Sequence, residues 1–100
     1  MPVVTRFHCG NYIGPHSDQL AKLAGFRRRI AGILYFCRTW QPAMGGLLTL
    51  STQTGEIVLC PGYNQMLLMD VVAFVKHWVT EVEDEHAVRT GVPGFFSVPL

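Results

Sequence analysis

Seven short runs rich in β-branched, aliphatic and aromatic residues divide this chain of 100 residues: 3–8, 27–36, 47–52, 56–59, 66–72, 77–82 and 95–100. Glycine, proline or asparagine lies in every gap but 73–76, and runs so short and so often interrupted have the spacing of strands in a sandwich or barrel. One stretch, "QLAKLAG" at 19–25, reads instead as a short helix, with good helix formers ending at Gly25. The expectation is a single, mainly all-β domain over residues 1–100, with at most one or two short helices. No internal repeat, linker or low-complexity segment breaks the pattern.

A domain of this size buries only about two thirds of its unfolded surface, so its core is thin. Hydrophobic residues make up 49% of the chain and charged residues 15%, which excludes a disordered segment and fits strands packed on both faces. Eight basic residues against seven acidic ones give a net charge of +1 with the histidines neutral. No general field then draws in nucleic acid or an anionic membrane. "RRR" at 27–29 does not change this, because a regular strand puts Arg27 and Arg29 on one face and Arg28 on the other. Arg28 is then a candidate for meeting an acidic or amide group of a substrate. The strongest apolar run, 66–75, is broken by Asp70 and falls far short of the roughly 18–20 residues of a membrane span. Cys9, Cys37 and Cys60 cannot all pair, show no CxxC spacing and follow no signal peptide. They read as reduced thiols of a cytoplasmic protein.

Within 27–36, Arg29, Ala31, Ile33 and Tyr35 share one strand face, while Ile30, Gly32, Leu34 and Phe36 share the other. The first set mixes polar tips with small apolar side chains, as a pocket wall does. "YIGPHSD" at 12–18 sets His16 and Asp18 on one side of the chain if the segment is extended. Alone, that pair reads as well as a solvated polar turn. His77 far along the chain, and Arg89 twelve residues beyond it, add weight. Two histidines and a carboxylate leave three positions of a metal open, which suits non-haem iron(II) oxygen chemistry better than closed structural zinc. An arginine nearby has the fork that grips the far end of a dicarboxylate cosubstrate. His8 and Cys9 do not complete a zinc site with His16, since adjacent side chains on a strand face opposite ways.

Four motifs follow one another from about residue 8 to 97: "CGNYIGPHSD", "ILYFCRTWQPAMGGLLTL", "PGYNQMLLM" and "HWVTEVEDEHAVRTGVPGFF". In that order they resemble the iron(II)- and 2-oxoglutarate-dependent dioxygenases, within the prolyl 4-hydroxylase-like branch. The corresponding family patterns are aromatic-x-x-x-His-x-Asp, Tyr-Leu-Asn-x-x-Trp running on to Gly-Gly-x-Leu, Pro-x-x-Asn-x-Leu, and His-x-Val-x-x-Val followed by Arg and an aromatic pair.

The resemblance implies a double-stranded β-helix, a jelly-roll or cupin-like barrel, here in minimal or truncated form. It implies iron(II) ligation by His16, Asp18 and His77, with Arg89 pairing with the distal carboxylate of 2-oxoglutarate. Tyr35 would add a hydroxyl hydrogen bond to that carboxylate, and Tyr12 would lie beside cosubstrate or substrate. His16, Asp18, His77 and Arg89 are then the catalytic set. Dioxygen is the co-reactant implied, and ascorbate a candidate reductant. The reaction expected is hydroxylation of a C–H bond in an amino acid, a peptide or protein side chain, or a small metabolite, rather than in a nucleic acid. A homodimer, or a partner chain completing the scaffold, is the assembly expected. The second class of function is a non-catalytic double-stranded β-helix module that keeps the metal motif for binding or assembly. Trp40 reads as packing, Cys37 and Cys60 as small buried apolar residues, and His86 as part of a solvated acidic loop.

Overall fold

The structure, a computed structural model, describes residues 4–17, 22–23, 26–70 and 76–99. Among these residues nine strands follow in chain order: β1 (Thr5–Phe7), β2 (Ile13–His16), β3 (Lys22–Leu23), β4 (Phe26–Tyr35), β5 (Leu48–Thr52), β6 (Gly55–Leu59), β7 (Met66–Asp70), β8 (His77–Val79) and β9 (Arg89–Pro99). Among the described residues there is no α-helix, only a 3-10 turn at Pro42–Met44. The all-β expectation holds. All pairings are antiparallel and fall into two sheets. One runs β1-β9-β4, with β3 and β7 sharing the far edge of β4; the other runs β2-β8-β5-β6.

Strand alternation decides what lies between the sheets. On β7, Leu67 and Met69 turn inward, while Met66 and Leu68 are left more than half exposed on the outer face. Leu48, Leu50 and Val79 of the four-stranded sheet meet Met69 of the other, with Phe7, Ala31, Leu59 and Leu67 packed around them. Each such side chain contributes about 1.5–3 kcal/mol when fully buried, so among the described residues this small cluster is a principal source of cohesion.

Two departures from regular pairing aim particular side chains. Ile13 pairs with Val79 but His16 with His77, so β2 carries one residue more than β8 at Gly14-Pro15. Without that bulge Ile13 and His16 would face opposite ways; with it both line the space between the sheets. Pro15 is tolerated there because β2 is an edge strand. A second register shift lies between Arg28 and Ile30, where β4 pairs with β9. The single regular alternation expected along 27–36 therefore breaks at Arg29. Arg29 reaches Asp70, at 3.2 Å, and Arg28 lies on the side of Phe95.

Two sequence expectations need correction. Lys22–Leu23 is not helical but pairs with Phe26 and Arg27 of β4, and the rest of the 19–25 segment lies outside the described residues. Helix preference among these residue types spans only a few tenths of a kcal/mol per position, and pairing with the longest available ladder outweighs it. β9 begins at Arg89 rather than at 95, because Gly91, Pro93 and Gly94, which resemble breaks, lie within the strand. Among the described residues β1 covers only Arg89–Gly91, and Pro93 lies beyond that pairing, where a proline is accommodated.

Candidate active site

A cavity of about 180 Å3 lies between the sheets. Its walls are mostly apolar, and its polar lining comes from two ends. At one end His77 of β8 is buried and pairs with His16 of β2, bringing their ring centroids to 4.1 Å. His16 Nδ1 lies 2.9 Å from the Gly14 carbonyl oxygen, which can only accept. Nδ1 therefore carries the proton of the neutral ring, and Nε2 carries the lone pair that a metal would take.

At the other end Arg89 is 2% exposed and Tyr35 is 3% exposed. Tyr35 sits across from Gly91 on β4, so the β4–β9 ladder sets the phenol beside the guanidinium. Arg89 Nη2 donates to Tyr35 Oη at 3.0 Å and Nε donates to the Gly46 carbonyl at 2.8 Å. The guanidinium carbon also lies 5.0 Å from the Tyr35 ring centre and 5.2 Å from that of Phe7, within range of the attraction between a cation and an aromatic face. Burial pushes the Tyr35 phenol above its ordinary value, outweighing the opposing pull of Arg89. The neutral hydroxyl thus accepts from Arg89 and keeps its own hydrogen to donate onward.

No carboxylate among the described residues pairs with Arg89. A buried charge held only by neutral groups is costly unless an anion joins it. The cavity therefore offers a cation and a hydroxyl donor at one end and two imidazoles at the other, with an apolar wall between. That arrangement suits a small dicarboxylate whose far end meets Arg89 while its near end approaches the histidines.

Of the residues named from the sequence, His16, His77, Arg89 and Tyr35 line this one cavity. Asp18 lies outside the described residues, among which no three His, Cys, Asp or Glu side chains gather as a metal site. The two facing imidazoles, one with its tautomer set by a backbone carbonyl, fit a metal such as iron(II). Tyr12 is not brought to the cavity: it is 66% exposed and absent from the lining. The face of β4 read as a pocket wall does line it through Ala31, Ile33 and Tyr35, but Arg29 leaves that face at the bulge. In its place Arg28 sets its guanidinium carbon 3.7 Å over the ring of Phe95 at the cavity wall. Sequence reasoning missed Gly46; its signal was the "GG" at 45–46.

Comparison with known proteins agrees with this geometry. A family model described as the 2OG-Fe(II) oxygenase superfamily matches residues 3–97. Prolyl 3-hydroxylase OGFOD1 of Mus musculus is 34% identical over 91 residues, covering 84% of this chain but 16% of that protein. The chain therefore spans less than a fifth of the length of that relative. A Pseudomonas putida prolyl-4-hydroxylase superposes with a TM-score of 0.78 at 23% identity, over 95% of this chain and 50% of its own. An oxidoreductase of the 2OG-Fe(II) oxygenase family from Burkholderia pseudomallei gives 0.74 at 19%, covering 92% and 39%. A prolyl 4-hydroxylase from Phytophthora capsici gives 0.69 at 20%, covering 96% and 31%. These structural likenesses establish the jelly-roll fold.

Proposed function

This chain belongs to the 2OG-Fe(II) oxygenase superfamily, and from that premise we propose that it is the catalytic core of a dioxygenase that hydroxylates a C–H bond, with a prolyl side chain of a peptide or protein as substrate. The family implies iron(II), 2-oxoglutarate and dioxygen. The observation that carries the proposal is Arg89, a buried guanidinium without a carboxylate partner among the described residues, sharing a cavity with two facing histidines. The prolyl assignment draws on the names of the relatives and on an apolar cavity wall that suits a ring without charge.

In this reading His16, Asp18 and His77 hold the iron, and residues 1–100 act as one domain. Bound iron and 2-oxoglutarate supply the oxygen chemistry: dioxygen oxidises the keto acid to succinate and carbon dioxide, and its other oxygen atom enters the substrate C–H bond. Arg89 neutralises the distal carboxylate and fixes its depth. Tyr35 donates its hydroxyl hydrogen to the same group. Gly14 orients the imidazole of His16 through its carbonyl. Leu48, Met69 and Val79 keep the space dry, which strengthens every charge interaction within it. The three cysteines are free thiols, which supports a cytoplasmic setting.

The test has two parts. Anaerobic mixing with iron(II) and 2-oxoglutarate should give a visible charge-transfer band, and a proline-containing peptide should gain one oxygen in mass as succinate forms. Failure of the band would refute the site. A band with no mass gain on peptides would refute the substrate class alone.

A further inference from the structure

Arg89 is held in place by a backbone device on the opposite sheet's approach, the turn through Gly45 and Gly46. Both glycines have positive φ, +73 and +63, a region that other residues enter at a cost. A Cβ on Gly45 would collide with the Glu81 carbonyl, and the Gly45 carbonyl accepts from Trp40 Nε1 at 2.7 Å. The Gly46 amide donates to the Glu81 carbonyl at 3.1 Å, and the Gly46 carbonyl takes the Arg89 Nε hydrogen at 2.8 Å. A Cβ on Gly46 would stand 2.9 Å from Arg89 Cδ, 3.1 Å from Val82 Cγ2 and 3.2 Å from Trp40 Cζ2. The space beside the arginine stem is therefore closed on three sides, and only the absence of a side chain leaves room for it.

We propose that Gly46, held by Trp40 through the Gly45 carbonyl, is a positioning residue that sets how far the Arg89 guanidinium reaches into the cavity, and so selects keto acids bearing a second carboxylate. This deepens the 2-oxoglutarate reading and rests on it. Nε is tied to the turn and Nη2 to Tyr35, so the direction of the guanidinium fork is set before any ligand arrives. Such pre-setting lowers the ordering cost of binding, and the selectivity follows because only a ligand with a distal carboxylate uses that fork.

The measurement is the ratio of dissociation constants for 2-oxobutyrate and 2-oxoglutarate, titrated anaerobically with iron(II) through the charge-transfer band, with thermal midpoints recorded alongside. The first keto acid lacks the distal carboxylate. In Gly46→Ala the 2-oxoglutarate constant should rise about tenfold, equivalent to about 1.4 kcal/mol, while the 2-oxobutyrate constant stays put and the ratio collapses accordingly. Trp40→Phe keeps an aromatic ring but deletes the Nε1–H tether together with part of the indole beside Gly46; it should move the ratio the same way by about threefold. This variant carries the test if Gly46→Ala does not fold. A ratio unchanged in a folded variant, or both constants rising together as general loosening would give, overturns the proposal. A wild-type protein with no preference for the diacid overturns the 2-oxoglutarate reading itself, which separates the two failures.

Discussion

At one end of the cavity Arg89 and Tyr35 sit on β9 and β4, the two long strands paired in the middle of the five-stranded sheet. At the other, His16 and His77 sit on β2 and β8, strands of four and three residues at and beside an edge of the smaller sheet. The anion end is tied by a ladder, a phenol and a backbone carbonyl, and both its side chains are almost fully buried. The histidine end depends on a single bulged edge strand to turn His16 inward. Cohesion across paired strands presets the first end, whereas at the second the facing of His16 turns on one extra residue in β2. Ligand binding should therefore tighten the histidine end more than the arginine end.

The largest effects should come from breaking the histidine end. His77→Ala should abolish succinate formation coupled to oxygen uptake, read by an oxygen electrode and succinate assay; retained turnover would refute the ligand assignment. Deleting Gly14 removes the extra residue of the bulge and leaves Ile13 and His16 two positions apart, on one face of a now regular strand that still sets His16 opposite His77. Iron affinity, measured by competition with a chelator, should then fall less than in His16→Ala, because the imidazole still faces the cavity and only its tie to the Gly14 carbonyl is lost. A loss as large as in His16→Ala would mean that the Gly14 carbonyl, and not the facing of the strand, aims His16.

At the arginine end, Arg89→Met keeps much of the stem and removes the charge. Losing one partner of a buried ion pair costs about 3–5 kcal/mol, so the dissociation constant for 2-oxoglutarate should rise by about two to four orders of magnitude. Iron binding measured without the keto acid should hardly change, which is the contrast between the two ends in a single variant. A parallel loss of iron would show that the ends are coupled through the fold.

How much of this was legible in the letters follows the same division. Residue types carried the chemistry: His16, His77, Arg89 and Tyr35 were named from motif order, and the structure gathers them in one cavity. Alternation also carried the pocket wall of β4 through Ala31, Ile33 and Tyr35. What the letters hid was pairing. β2 was masked by Gly14-Pro15, which look like a turn and form a bulge within a strand, and the start of β9 was masked by Gly91, Pro93 and Gly94. The shift between Arg28 and Ile30 reverses the faces of two arginines without any sequence mark, because a bulge is fixed by the partner strand as well as by its own residues. Lys22–Leu23 looked helical by preference and became a strand through its neighbour β4. Local preferences name the parts, and long-range pairing decides their direction.

A smaller effect than at Arg89 tests whether the phenol at the arginine end acts as a neutral donor. Tyr35→Phe removes one hydrogen bond to a bound carboxylate, so the 2-oxoglutarate constant should rise by about tenfold, or about 1.4 kcal/mol, less than in Arg89→Met. The pH profile separates this role from packing. Burial lifts the phenol's folded pKa above its ordinary value of 10.0. A group raised on folding favours the native state below its unfolded pKa, and that contribution is lost as pH rises through the folded value. Wild-type thermal midpoints should therefore fall more steeply above about pH 10 than those of Tyr35→Phe, with the two profiles parallel at neutral pH. Diacid affinity should fall over the same range in the wild type alone, because a phenolate both loses its hydrogen and repels the carboxylate. Parallel profiles throughout would mean that Tyr35 serves the site only as a ring beneath the guanidinium, and that the direction of the arginine fork comes from the Gly46 carbonyl by itself.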